Sequence, residues 1–91
     1  MSQPTRVRVV VHGRVQGVFF RDTVRRSARE RGVGGSVRNR RDGTVEAVFE
    51  GTPEAVDALV ALCRTGPPHA RVESVEVTEE PPEGISGFEA V

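Results

Sequence analysis

The chain lacks several residue types, and each absence narrows what the protein can be. Its 91 residues include no lysine, tryptophan or tyrosine and only one cysteine, Cys63. A single cysteine forms no internal disulfide, which fits a reducing compartment, and its place at the end of an apolar helical pattern indicates buried filler. No apolar run approaches the roughly 20 residues that span a membrane, and the short polar start Met1–Thr5 is unlike a signal peptide. We therefore expect a cytoplasmic protein with no membrane partner.

Sequence motifs for common cofactors and metals are absent as well. There is neither a GxxxxGK[ST] phosphate loop nor a glycine-rich dinucleotide fingerprint. His12 and His69 lie far apart, without the spacing of metal ligands or of a catalytic triad. Small α+β domains that bind RNA stack bases on sheet aromatics, whereas the four phenylalanines here fall at loop or core positions. The sequence predicts no metal, no cofactor and no nucleic acid partner.

Charge is balanced overall but divided along the chain. All 13 basic residues are arginine, and the formal net charge is zero. Residues 1–41 hold eleven arginines against two acids, which leaves +9, and residues 42–91 hold two arginines against eleven acids, which leaves −9. Clustered positive charge attracts anionic ligands. The two halves also cancel if they interleave in space, and the sequence leaves both alternatives open.

Hydrophobic periodicity predicts five strands and two helices. In the first strand Val7, Val9 and Val11 alternate with other residues, which is typical of a half-buried strand. A glycine ends the first helix, and a threonine followed by a proline starts the second. In chain order, we predict a strand at Arg6–His12, a loop at Gly13–Val18, a helix at Phe20–Arg31, strands at Gly35–Arg40 and Thr44–Glu50, a helix from Thr52 to Gly66, and strands at Arg71–Glu79 and Phe88–Val91.

Finer features follow from the same alternation. The third strand should present Val45, Ala47 and Phe49 to the core and Thr44, Glu46 and Glu50 to the outside. The alternation slips between Val72 and Val75, which predicts a bulge or a late start of the fourth strand. The order β-α-β-β-α-β with a terminal strand is that of the ferredoxin-like split β-α-β sandwich. We therefore predict one α+β domain over residues 1–91, with an antiparallel sheet and two helices on one face.

The loop between the first strand and the first helix is the best candidate for a binding site. Gly13 and Gly17 allow the backbone to approach a ligand closely, and the helix N-terminus offers unpaired N–H groups to an anion. Arg21 adds a planar, permanently charged guanidinium. A tight turn with a solvated arginine is the alternative. Asn39, at the end of the second strand, is either a site residue or part of the turn chemistry of the following hairpin.

Three blocks of the sequence resemble the acylphosphatase family. Residues 11–21 read VHGRVQGVFFR and match the family signature V-x-G-x-V-Q-G-V-x-F-R. Residues 35–46 read GSVRNRRDGTVE, similar to G-x-V-x-N-x-x-D-G-x-V-E, and residues 66–72 read GPPHARV, similar to G-P-x-x-A-x-V. The resemblance spans nearly the whole chain. One departure is Ser36, where the family usually has an aromatic residue, and it leaves open the packing and the surface that contacts the acyl group.

The resemblance implies a function and a role for each matching residue. It implies hydrolysis of acyl phosphates, such as carbamoyl phosphate, to a carboxylate and inorganic phosphate without a metal. Arg21 matches the phosphate-binding arginine of the family, and Asn39 matches the asparagine that orients the attacking water. The residues that match the phosphate cradle are Val15, Gln16, Gly17, Val18, Phe19 and Phe20.

Other functions on the same fold remain as alternatives. A non-catalytic anion-binding or regulatory module would be favoured by the loss of Arg21 or Asn39, and both are present. Acylphosphatase-like domains with this signature also occur as accessory domains of larger carbamoyl-transferring enzymes. A chain of 91 residues that starts at Met1 leads us to expect a free-standing, monomeric enzyme.

Overall fold

The computed structural model describes residues 3–91, which form five strands and two helices. The elements are β1 (Thr5–Arg14), α1 (Phe20–Glu30), β2 (Gly34–Asn39), β3 (Val45–Gly51), α2 (Pro53–Thr65), β4 (Arg71–Glu80) and β5 (Phe88–Ala90). All seven were predicted, with small differences at their ends. The largest is that β1 runs on through Gly13 and Arg14, because both residues still pair with β4. No helix within residues 3–91 is long and apolar enough to cross a membrane.

The strands form one sheet in the order β4-β1-β3-β2-β5. The neighbours from β4 to β2 are antiparallel, as predicted. The sheet as a whole is mixed, because β5 pairs with β2 in parallel. β4 and β5 are the two edge strands of the sheet. The chain leaves the C-terminal end of β4, crosses to the opposite edge without changing its level along the strands, and enters β5 there. The returning strand therefore runs in the direction of β2.

The core lies between one face of the sheet and the two helices. Val7, Val9 and Val11 of β1 share one buried cluster with inward residues of β3, which confirms the predicted alternation. From α1 the cluster includes Phe20, Val24 and Ala28, and from α2 it includes Val56, Leu59 and Cys63. The predicted helical faces are thus the buried ones, and both helices cover the same side of the sheet.

The pairing of β1 with β4 contains a bulge at the predicted place. His12 pairs with Ser74 and the next residue, Gly13, pairs with Val72, so Glu73 is the extra residue. Gly13 has φ 126°, and a Cβ atom there would lie 2.1 Å from the carbonyl oxygen of Arg71. Gly13 therefore serves close packing against β4, and not the approach of a ligand that its place in the loop suggested.

The other face of the sheet carries ion pairs between the two halves of the chain. Arg6 contacts Glu50 at 3.2 Å and Glu80 at 3.1 Å. Arg8 contacts Glu46 at 3.1 Å and Glu80 at 2.7 Å. Since these arginines belong to the basic half and the acids to the acidic half, the division of charge along the sequence is largely cancelled on this face.

Glu50 points away from the helices, as predicted, but it is buried, with only 5% of its surface exposed. Its carboxylate accepts main-chain N–H groups from Glu83 at 2.9 Å, Gly84 at 2.7 Å and Ile85 at 3.1 Å. The loop between β4 and β5 therefore covers it. The hydrogen bond from Glu83, followed by those from the other donors, lowers the pKa of Glu50 from its usual value. Strand alternation did not predict this burial, because the first main-chain donor, that of Glu83, lies 33 residues further along the chain.

Candidate active site

A cleft of about 280 Å³ lies where the end of β2 faces the loop that enters α1. Its lining residues are Val15, Gly17, Phe19, Phe20, Arg21, Asp22 and Asn39. The structure thus brings together Arg21, Asn39 and four of the six loop residues that the resemblance singled out. All lining residues except Asn39 come from the loop and the first turn of α1, so the cleft has a loop side and a β2 side.

The backbone of the loop is left-handed at two lining positions, with φ 72° at Gly17 and φ 63° at Phe19. A Cβ atom at Gly17 would meet no other atom within 4 Å, so the cleft is open in that direction. Phe19 is the N-cap of α1, and no side chain caps the helix there. Because the first N–H groups of a helix have no intrahelical acceptor, this junction offers donors and the positive end of the helix dipole to an anion.

Arg21 is exposed at the cleft and is oriented by the end of the chain. Its Nη1 donates to the main-chain oxygen of Val91 at 2.9 Å, across 70 residues of sequence. The N–H of Val91 in turn donates to the carbonyl oxygen of Val37 in β2 at 2.9 Å. The segment after β5 therefore joins β2 to Arg21. No sequence pattern linked Val91 to the loop, and sequence reasoning missed it.

Asn39 ends β2 at the cleft, while other residues hold the turn that follows. Asp42 Oδ1 accepts the Thr44 N–H at 3.0 Å and the Thr44 hydroxyl at 2.6 Å. Both hydrogen bonds lower the pKa of Asp42, and the one from the Thr44 hydroxyl has the larger effect. Thr44, which strand alternation placed outside, is buried. Within residues 3–91 the turn is closed without the side chain of Asn39, so turn chemistry does not account for an asparagine at this position.

Gln16 ties the loop to the hairpin that carries Asn39. Its Nε2 donates to the carbonyl oxygen of Arg40 at 2.7 Å and to that of Thr44 at 2.9 Å. The resemblance placed Gln16 and Val18 in the phosphate cradle, yet neither residue lines the cleft. The side chain of Gln16 reaches the hairpin, and that of Val18 is buried. Gln16 is therefore placed to set the distance between the loop and the end of β2.

Asp22 lines the cleft and was not among the predicted site residues. Its carboxylate contacts Arg25 at 2.7 Å and Arg26 at 2.8 Å, one helical turn further on. The hydrogen bond from Arg26, more than that from Arg25, lowers the pKa of Asp22. The two arginines offset a negative charge that would otherwise repel an anion in the cleft. An acid followed at three and four residues by arginines in a first helical turn is a signal that was available in the sequence.

Ser36 lies on the opposite face of the sheet from the cleft, because side chains alternate along β2 and Asn39 is three residues further on. It is half-buried and lines a separate hollow of about 390 Å³ together with Arg6, Arg8 and Val48, among others. The absent aromatic side chain therefore leaves space on the helix-free face and does not alter the walls of the cleft.

The remaining candidate groups lie outside the cleft. His12 pairs with Glu76 across β1 and β4. Cys63 is fully buried, and burial raises the pKa of its thiol to about 12, so the thiol is protonated at neutral pH. This confirms the prediction that Cys63 is a buried residue of the core. Throughout residues 3–91, no three His, Cys, Asp or Glu side chains are grouped in a way that could hold a metal ion.

Known proteins are similar to this chain in both sequence and fold. The acylphosphatase from Rubrobacter xylanophilus is 65% identical over 88 residues, which are 96% of this chain and 80% of that protein. The crystal structure of acylphosphatase from Bacillus subtilis superimposes with a TM-score of 0.91 at 40% identity, covering 96% of this chain and 98% of that chain. Full-length HypF superimposes with a TM-score of 0.90 at 25% identity. The match covers 100% of this chain and only 12% of HypF.

A profile of the acylphosphatase family matches residues 7–90. That range includes the loop, Arg21, the hairpin with Asn39 and all of the sheet except the first two residues of β1. The HypF match shows that this fold also occurs inside a longer chain, whereas the acylphosphatase from Bacillus subtilis is about the size of this one. The family profile, the high identity and the superposition agree, and the chain belongs to the acylphosphatase family of hydrolases.

Proposed function

We propose that the cleft hydrolyses acyl phosphates with a water molecule that Asn39 orients. The observation that carries the proposal is that one cleft holds Arg21, Asn39 and the uncapped start of α1. The N–H groups of the loop and the guanidinium of Arg21 bind the phosphoryl oxygens. These fixed donors stabilise the charge that develops on the oxygens in the transition state.

The chemistry suits a site with few reactive side chains. An acyl phosphate is a mixed anhydride, and its leaving group is a carboxylate, which is a weak base that needs no general acid. The water oxygen forms the new bond to phosphorus, and the bond to the acyl oxygen breaks with its electron pair on the carboxylate. A phosphoryl oxygen of the substrate takes the proton of the water. What the protein supplies is position and charge stabilisation.

Asn39 holds the water through its side-chain oxygen, which accepts a hydrogen bond. Two features support this role: the residue lines the cleft, and the turn beside it is closed by Asp42 and Thr44. Gln16 supports it indirectly, because its bonds to Arg40 and Thr44 hold the hairpin against the loop. The water is then held on the β2 side of the phosphoryl group.

We also propose that the protein acts as a single monomeric domain in the cytoplasm, on small-molecule acyl phosphates, carbamoyl phosphate among them, without metal or cofactor. The lone, buried Cys63 is compatible with a reducing compartment. Chelation should leave turnover unchanged, and recovery of lost turnover by added metal would contradict the mechanism. Sedimentation would test the monomer.

Release of phosphate from benzoyl phosphate and carbamoyl phosphate tests the proposed function. Asn39→Ala should lower kcat by about 10²-fold, the range for one preorganised polar group. Its inhibition constant for inorganic phosphate should change little, because the loop and Arg21 remain. Asn39→Asp should also weaken phosphate binding, since it adds a negative charge beside the phosphoryl group. A folded Asn39→Ala variant with wild-type kcat would remove Asn39 from the mechanism.

Arg21→Lys tests whether the guanidinium acts through its geometry or only through its charge. A lysine lacks the planar fork that pairs with two oxygens, so we expect kcat/KM to fall by about 10²-fold or more, as for loss of a transition-state donor. Arg31→Lys is the matched control, because Arg31 is exposed at the end of α1 and does not line the cleft. Phosphate binding without any turnover in the wild type would favour the non-catalytic anion-binding module instead.

A further inference from the structure

Phe19 is the one large apolar side chain at the cleft that is open to solvent. Phe19 is 78% exposed. Val15 and Phe20, which also line the cleft, are only 1% and 2% exposed. Val15 and Phe20 therefore form the floor, and Phe19 stands at the rim. A single exposed phenylalanine is unremarkable on a protein surface, so its meaning depends on its backbone and on its place.

The backbone at Phe19 is one that phenylalanine seldom adopts. Among residues 3–91, Phe19 is the only residue other than glycine with a positive φ, at 63°. An aromatic residue there costs free energy that glycine would not, and no buried contact of the ring offsets the cost, since the residue is so exposed. Conformations of this kind cluster at active sites and ligand-binding regions, which points to a use for the ring outside the folded core.

The proposed direction of attack indicates what the ring contacts. In an in-line displacement the leaving group departs on the side of phosphorus opposite the water. Because Asn39 holds the water on the β2 side, the acyl group leaves toward the loop side. The loop side offers few side chains to receive it: Gly17 has none, Arg21 binds the phosphoryl oxygens, and Asp22 carries a negative charge.

We propose that the ring of Phe19 contacts the acyl group, and that the cleft therefore favours acyl phosphates with an aromatic or large apolar acyl part. This inference rests on the proposed function and adds the preferred substrate class to it. The contact is flat, apolar and at the rim, so it is present in the bound substrate and in the transition state alike. Its loss should raise KM more than it lowers kcat.

The test compares benzoyl phosphate with acetyl phosphate in the wild type, Phe19→Ala, Phe19→Leu and Phe19→Tyr. The measured quantity is the ratio of the two kcat/KM values, which cancels changes common to both substrates. An aromatic contact is worth a factor of about three to ten, so the ratio should fall by that factor in Phe19→Ala, by less in Phe19→Leu, and stay near wild type in Phe19→Tyr. Val77→Ala, at an exposed apolar residue of β4 outside the cleft, is the control and should leave the ratio unchanged.

The inhibition constant for inorganic phosphate separates a contact of the ring from an effect of the backbone. A substitution that acts only through the loop backbone would weaken phosphate binding and slow both substrates equally. An unchanged ratio in Phe19→Ala, with or without a change in phosphate inhibition, would overturn the inference. Absence of turnover with both substrates in the wild type would refute the proposed function itself, so the two failures are distinguishable.

Discussion

Gln16→Met would remove both hydrogen bonds between the loop and the hairpin while nearly preserving the length of the side chain. Each bond joins neutral groups and contributes about 0.5–1.5 kcal/mol to the free energy of unfolding. Neither acceptor is left unpaired: the Arg40 carbonyl oxygen also accepts the Gly43 N–H at 3.2 Å, and the Thr44 carbonyl oxygen accepts the Arg40 N–H at 2.9 Å. We therefore expect the lower part of the range, a loss of about 1–2 kcal/mol for both bonds. In a domain of this size, that lowers Tm by about 5–15 °C.

Activity should fall as well, because Asn39, which we propose holds the water, and the loop, which we propose binds the phosphoryl group, come from different elements. Misplacement by about 1 Å can cost 10²-fold in rate, and since the fold itself keeps the hairpin near the loop, we expect kcat to fall about tenfold. Gln16→Glu should be more destabilising than Gln16→Met at pH 7, because its carboxylate would face two carbonyl oxygens. The difference should shrink as the pH approaches 5, where a protonated carboxyl group can donate one hydrogen bond.

Urea unfolding followed by circular dichroism provides the measurement, since the chain has no tryptophan or tyrosine for fluorescence. Turnover of benzoyl phosphate is measured in the same buffer on the folded variants. Gln3→Met is the matched control, because Gln3 is the only other glutamine and is exposed before β1. If Gln16→Met unfolds and turns over like the wild type, the bridge between loop and hairpin does not hold the site together.

Three further predictions concern residues around the site. The folded state lowers the pKa of Glu50, so its contribution to stability is full above the ordinary glutamate pKa and is lost as the pH falls through the lowered value; Glu50→Gln should flatten the acid limb of a plot of unfolding free energy against pH, and an unchanged slope would contradict this. Ser36→Trp should fill part of the hollow on the helix-free face and raise the free energy of unfolding by about 1 kcal/mol with kcat unchanged; a destabilised protein in a urea melt would show that the hollow cannot accept the ring. Arg41 is exposed in a depression that also includes Asn39, and its charge should attract the anionic substrate. Arg41→Gln should therefore raise KM about twofold at low salt and hardly at all at high salt, where the screening length is short. An increase in KM that does not depend on salt would mean that Arg41 contacts the substrate directly.

Local patterns in the sequence were enough to predict the elements, whereas the roles of the candidate residues came from the resemblance to acylphosphatases. Alternation in β1 and spacing in α1 identify buried faces from neighbours within a few positions, and the threonine before α2 caps it as expected, with the Ala55 N–H donating to Thr52 Oγ1 at 3.2 Å. The slip of alternation in β4 marked the bulge opposite Gly13. Each of these features depends on backbone conformation and burial within one or two elements, which is what a short stretch of sequence encodes.

Only the tertiary structure decided how distant segments meet around the cleft. The residue that orients Arg21 is 70 positions away, and the acceptors of Gln16 are 24 and 28 positions away. The first main-chain donor to Glu50 is 33 positions away. These contacts depend on strand order and on the parallel pairing of β5 with β2, which are set by the packing of the whole core. The resemblance to acylphosphatases indicated which residues could bind phosphate and hold a water, whereas the order of the strands in the sheet determined the neighbours that hold them in place.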